Sequence, residues 1–437
     1  MEKLLEMAAK ISDKAEIYSL EYSNNSVSFQ NAKLHEIDSS FQSGLSLRLI
    51  KNGKQGFAYT RNLIDRQELL DNALVSLKGG VEADFDFPLT KNITSLDTFN
   101  SSLESLTSGK MADEGQRVCD VLKAKTGTEI VLTNVRHIEN TRIINTAGAD
   151  LSSKSSYYAI YAVAVFPGSG SGPYRIFQDK AYAPMPDSYL REIADQYNLC
   201  KKEFKLKTGR MKVLFMPNSM LALIWRILSG ANSRSIYEKT SPIAEKVGEK
   251  IFSDKLTIYD DPLDTRFPGG QAFDDEGVAC QPLAIVEDGI LKNFYYDLNY
   301  ASKLKARSTG HGFKTSRWGG DTVTLKPIPA LKHLRIKPGG KSLAELVKSI
   351  DRGIIIEGAM GAHSGNIPNG DYSIGALPGL YVENGEILGR VKDTMVAGNI
   401  YETLKNVVEV GDTLYSSGGD YWVPSILCAD VSVASKN

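Results

Sequence analysis

The acids that could do chemistry gather in one stretch. Asp260-Asp261-Pro262 and Phe273-Asp274-Asp275-Glu276-Gly277 bring five carboxylates into seventeen residues. Such a group could hold a hard cation through oxygen ligands, or supply an acid and a base with separated pKa values. The same residues also form turns, because Asp side chains accept hydrogen bonds from backbone just ahead of them. Their spacing matches no EF-hand or other metal template. Histidines stand at 35, 137, 311, 333 and 363. None is three to five residues from another, so there is no local ligand pair. His311, within Ser308-Thr-Gly-His-Gly-Phe313, is the best single candidate. Two glycines let a ligand approach the backbone, and imidazole titrates near neutrality; a plain loop explains the segment too. Ser373 ends Gly365-Asn-Ile-Pro-Asn-Gly-Asp-Tyr-Ser, but no histidine is placed to activate it. Gly168–Gly172 lacks the lysine and following helix of a phosphate loop. The candidates are therefore His311, Asp274, Asp275, Glu276 and Ser373.

Bulk composition narrows the class. The 437 residues suggest roughly two to four domains. With 42% hydrophobic and 24% charged residues, the chain is an ordinary globular one. A net charge of −1 argues against a nucleic-acid or anionic-membrane partner. Cysteines at 119, 200, 280 and 428 are too far apart for a zinc knuckle or a dithiol pair, and read as buried thiols in a reducing compartment. The N-terminus has acids where a signal peptide needs a basic region, and no run approaches the ~18 apolar residues of a membrane span. A cytoplasmic protein is expected.

These residues must be positioned by an α+β fold. A helix over 2–12 is followed by short strands at 15–22, 26–30, 33–39, 45–50 and 56–59. Asn24-Asn25 and Asn52-Gly53 separate them. Helices are expected over 64–77, 113–126 and 187–205, and strands at 129–139, 142–145 and 155–166. A break near Lys207-Thr208-Gly209 divides an N-terminal domain, 1–207, with an antiparallel sheet and helices, from a C-terminal domain, 208–437. The second is mainly antiparallel β, barrel-like, with a few helices. Val286-Glu-Asp-Gly289 and Val382-Glu-Asn-Gly385 predict tight hairpins, Ser342-Leu-Ala-Glu345 a capping box, Ile354–Ile356 a buried strand. Residues 217–230 predict one helix, capped by Asn218 or Ser219 and closed by Gly230, with an apolar stripe at Met220, Leu223, Ile224, Ile227 and Leu228.

The order of several short motifs carries a family resemblance. They are Gly248-Glu-Lys250, Asp260-Asp-Pro262, Phe273–Gly277, Gly289-Ile-Leu291, Ser308-Thr-Gly310, Gly370-Asp-Tyr-Ser373, Val382-Glu-Asn-Gly385 and Thr394-Met-Val-Ala-Gly398-Asn399. Together they resemble the TldD/PmbA family, once called modulators of DNA gyrase and regarded as TldD/TldE metallopeptidases. TldD-like members carry His-Glu-x-x-x-His on a helix, with histidines holding a metal and the glutamate activating its water. Counted from Pro217, that motif falls on Trp225, Arg226 and Gly230, none of which is a ligand or a base. The TldD-like cysteine ligand has no counterpart around Gly418-Gly419-Asp420, and Cys428 lies in the last strand.

The resemblance thus implies the PmbA/TldE branch: a subunit that binds no metal or other cofactor itself. Zinc is expected in a TldD-like partner, with which it degrades unfolded or flexible peptides. A homodimer is expected when the chain is alone, with no direct nucleic-acid or membrane contact. Two alternatives stand beside it. One is a self-sufficient peptidase built on His311, Asp274, Asp275 and Glu276; the other is a gyrase-modulating binding protein.

Overall fold

The computed structural model describes residues 1–62, 64–316, 319–417 and 421–435. Hairpin chemistry builds its first sheet. Strands β1 (Lys14–Gln30), β2 (Lys33–Lys51), β3 (Lys54–Thr60), β4 (Glu129–Asn145), β5 (Asp150–Val165) and β6 (Tyr174–Asp179) pair in the order β3-β2-β1-β4-β5-β6. Every neighbouring pair is antiparallel. Asn52-Gly53 turns β2 into β3 with φ of +50° and +69°, the left-handed pair a two-residue hairpin requires.

Asn24-Asn25 makes no turn. β1 runs through it for 17 residues, and β2 likewise joins the two expected strands at 33–39 and 45–50. The polar residues are rungs of the ladder. Asn24 Oδ1 meets His137 Nδ1 at 2.6 Å, and Asn25 Nδ2 donates to Ser39 Oγ at 2.6 Å. Cross-strand partners satisfy side chains that would otherwise favour a turn.

Helices cover this sheet. α1 (Glu2–Ala9) and α2 (Arg66–Ser76) pack Leu4, Ala8, Leu69 and Leu70 on Ile17 and Leu47. α3 (Ser108–Thr126) opens on a Thr107 cap, five residues before the expected start. α4 (Asp187–Leu199) stops short of the expected residue 205. Buried residues of α3 and α4 join Val27 and Ile130 to Leu214, Ile355, Leu380 and Leu427, so one apolar core spans both halves of the chain.

The second half curls into a half-barrel sheet. β7 (Gly209–Phe215) lies at its middle, antiparallel to the last strand, Ile426–Ser435, and parallel to Arg352–Ile356. The expected hairpins at Asp288-Gly289 and Asn384-Gly385 are present, with positive φ at all four residues. The capping box forms as well, with Ser342 Oγ accepting from Glu345 N–H. A smaller sheet runs Ile290–Leu291, Leu283–Glu287, Ile258–Asp260, Leu334–Ile336, Trp422–Val423, Tyr415–Ser416.

Between these layers lies α5 (Leu221–Ala231). The expected side-chain cap does not form. A 3-10 turn over Pro217–Ser219 leads into the helix, and Ser219 Oγ donates to Met216 O instead. The chain also stays helical through Gly230 to Ala231, after which Asn232 caps the next short helix, Ser233–Tyr237. Met220, Leu223, Ile224 and Ile227 are buried in the larger apolar cluster, as the stripe predicts, and Leu228 packs at its margin.

Candidate functional site

Two faces of α5 differ in what they present. Toward solvent, half-buried Trp225 and Ser229 line a cavity of about 470 Å³ that also includes Asn232, Tyr295, Lys332 and Tyr421. The cavity wall is held by its own hydrogen bonds. Asn232 Nδ2 donates to the Tyr295 hydroxyl at 2.9 Å and to Pro329 O at 3.0 Å. Tyr295 donates in turn to Leu228 O at 2.7 Å, and Tyr421 to Leu331 O at 3.0 Å.

The inner face is closed by Arg226, whose side chain is fully buried. A buried guanidinium must find acceptors or lose its hydration without return. Arg226 finds four. Nε donates to Asp371 O at 2.9 Å, Nη1 to Ala222 O at 2.7 Å and also to Ala362 O, and Nη2 to Ser364 O at 2.5 Å. It therefore ties α5 to the 362–371 loop. At Gly230 an added Cβ would collide with the Tyr401 hydroxyl, so one of the two would have to shift. Of the three positions the resemblance marks, one faces a cavity, one clamps a loop and one is a close contact.

Behind Tyr295 lies a buried triad of Asp260, His311 and His333. His311 Nε2 is 3.3 Å and His333 Nδ1 3.7 Å from Asp260 Oδ2, all fully buried. The opposite ring nitrogens face backbone oxygens: His311 Nδ1 is 2.9 Å from Thr309 O, and His333 Nε2 2.7 Å from Gly269 O. Asp260 Oδ1 also accepts from His333 N–H at 2.8 Å. Burial alone would raise the Asp260 pKa; the two imidazoles reverse that and hold its carboxyl well below the usual range. Histidine spacing gives no hint of this pairing, since Asp260 and His333 come together only through adjacent strands. Among the described residues, no group of three or more His, Cys, Asp or Glu side chains is arranged to hold a metal ion.

The acidic run from Asp274 to Glu276 makes no ion pair with the His311 imidazole among the described residues and instead holds the segment just after it. Asp274 Oδ2 accepts from Gly312 N–H at 2.8 Å and Asp275 Oδ2 from Lys314 N–H at 2.7 Å. Glu276 accepts from Arg48 at 2.7 Å and from Leu298 N–H at 2.7 Å. All three acids are at most 5% exposed. They zip one loop to the 312–314 segment and dock it on the first sheet. Ser373 sits in the strand Asp371–Ala376 opposite Ala397, apart from these acids. The four cysteines are all free and buried, and burial pushes the Cys428 thiol far up. Gly418-Gly419-Asp420, where a ligand cysteine is expected in TldD-like chains, lies outside the described residues.

Comparison with known proteins gives the family. The model described as PmbA/TldA metallopeptidase C-terminal domain matches residues 208–435, and that described as PmbA/TldA metallopeptidase domain 1 matches residues 15–76. A protein named Metalloprotease from Methanothermobacter thermautotrophicus is 26% identical over 405 residues, 89% of this chain and 85% of that protein. Metalloprotease PmbA of Escherichia coli O157:H7 is 29% identical over 232 residues, 53% of this chain and 47% of that protein. The crystal structure of TldE from Thermococcus kodakarensis shares the fold with a TM-score of 0.90 at 22% identity, over 100% of both chains. With one family model spanning more than half of its length, the chain belongs to the PmbA/TldD metallopeptidase family, among the PmbA/TldE proteins.

Proposed function

We propose that this chain is a PmbA/TldE-like subunit of a TldD/TldE-type metallopeptidase, contributing to proteolysis of unfolded or flexible peptides without a metal site of its own. One observation carries the reading. The helix positions that would bear His-Glu-x-x-x-His are Trp225, Arg226 and Gly230, and the space around them is built for those residues. Arg226 is fixed by four carbonyls, and Gly230 abuts Tyr401. The cavity at Trp225 and Ser229 is then a surface that shapes a peptide path, with zinc in a TldD-like partner. We place the chain in the cytoplasm, as a homodimer when that partner is absent. Among the described residues, no helix is long and apolar enough to cross a membrane.

The rival reading, a self-sufficient peptidase using His311 and the 274–276 acids, asks for groups that are buried and already paired. Purified chain, a TldD-like protein from the same cell and their mixture should be assayed on a flexible casein substrate, with zinc measured in each. Cleavage only when the TldD-like protein is present, with its rate raised by this chain, supports the proposal. Full cleavage by this chain alone overturns it.

A further inference from the structure

A second cavity, about 830 Å³, shares no lining residue with the one at Trp225. It runs between α4 and the Leu343–Lys348 helix and falls in the size range of ligand sites. Its apolar surface is unfinished. Leu199 is 48% exposed, and Leu343, Val347 and Ile387 are only partly covered by the core they pack on. Leu343 and Val347 are four residues apart, so they present one stripe along their helix.

The charge around that stripe is one-sided. Glu192 and Glu357 are answered by Arg175, at 2.7 Å and 3.1 Å. Asp195, Glu386 and Asp412 are exposed, line the groove and enter no ion pair among the described residues. Among the described residues, Lys348 is the one basic residue in its lining. An apolar floor with a net acidic rim fits the helix-in-groove mode for a partner of opposite charge.

We propose that this groove binds a cationic amphipathic helix of a partner polypeptide, apolar side chains against Leu199, Leu343 and Val347 and Lys or Arg against Asp195, Glu386 and Asp412. The inference does not depend on the reading of the Trp225 cavity. The test is fluorescence anisotropy on the full chain with a labelled Leu/Lys amphipathic peptide and its Leu/Glu counterpart. The wild type should bind the Leu/Lys peptide, more weakly as salt rises. Asp195→Lys/Glu386→Lys/Asp412→Lys, all at exposed positions, should weaken that binding at least tenfold and gain the Leu/Glu peptide. Leu199→Asp should also weaken it at least tenfold, which general electrostatic attraction would not produce. No binding to the wild type, or binding unchanged by either variant, overturns the proposal.

Discussion

The Arg48 guanidinium reaches Glu276 at 2.7 Å across the joint between the first sheet and the second half of the chain. It meets Glu16 at 2.7 Å on its other side, and none of the three is more than 3% exposed. Two carboxylates share this guanidinium in a dry place, where burial raises the Glu16 pKa, so the arginine is the group that makes the joint tolerable. Arg48→Met strands both acids. It should lower unfolding stability by about 3–5 kcal/mol, the usual cost of breaking a buried pair, read from denaturant midpoints at neutral pH. A loss under about 1 kcal/mol would show that water already reaches the joint.

Gly230 and Tyr401 give a sharper test, because their coupling has a sign. The Tyr401 hydroxyl is buried with no hydrogen-bond partner among the described residues, so removing it sacrifices no bond. Tyr401→Phe should be neutral or slightly stabilising. Gly230→Ala should cost about 1–3 kcal/mol through overpacking. The double variant should recover most of that loss, since the colliding atom is gone. Additive single effects in this double-mutant cycle would refute the contact.

Arg226 should not tolerate lysine. An ammonium is a point donor on a flexible stem, whereas the four carbonyls around Arg226 are spread for a planar fork. Arg226→Lys should cost about 1–3 kcal/mol for each carbonyl it leaves unpaired, with hydrogen exchange quickening first over residues 362–371. Grafting Trp225→His, Arg226→Glu and Gly230→His should therefore yield a destabilised chain that retains no stoichiometric zinc after dialysis. A stable, zinc-loaded graft would mean the helix is more adaptable than its packing implies.

How much of this is legible in the sequence depends on the range of the forces involved. Asn52-Gly53, Asp288-Gly289, Asn384-Gly385 and the Ser342–Glu345 box are local, and all form. The α5 stripe is local as well. Asn24-Asn25 misleads because its partners, His137 and Ser39, belong to neighbouring strands. The acidic run reads equally as ligand, acid–base pair or turn; Arg48, more than two hundred residues earlier in the chain, makes it a docking device. The Asp260–His311–His333 triad has no signal in histidine spacing at all. Motif order marks Trp225, Arg226 and Gly230, yet only packing shows that Arg226 turns inward and that Tyr401 fills the place of a side chain at Gly230.

The docked loop also makes stability depend on pH in two opposed ways. Burial, helped by the nearby Glu276 charge, pushes Asp297 up to about 8. A carboxyl raised in the fold binds its proton there more tightly than in the unfolded chain. Its contribution is complete below about pH 4 and is lost as pH rises through about 8. Burial, with repulsion from Arg48, lowers Lys314 to about 7. A depressed lysine works the other way: its contribution is present above about 10.5 and is lost as pH falls through about 7. Asp297→Asn, which keeps an acceptor for the Tyr300 N–H it now caps at 2.7 Å, should flatten the fall in stability between about pH 4 and 8. Lys314→Met should flatten the rise between about pH 7 and 10.5 instead. Denaturant melts of the wild type and both variants across this range decide the matter. Parallel pH profiles for all three chains would mean that neither group titrates inside the fold.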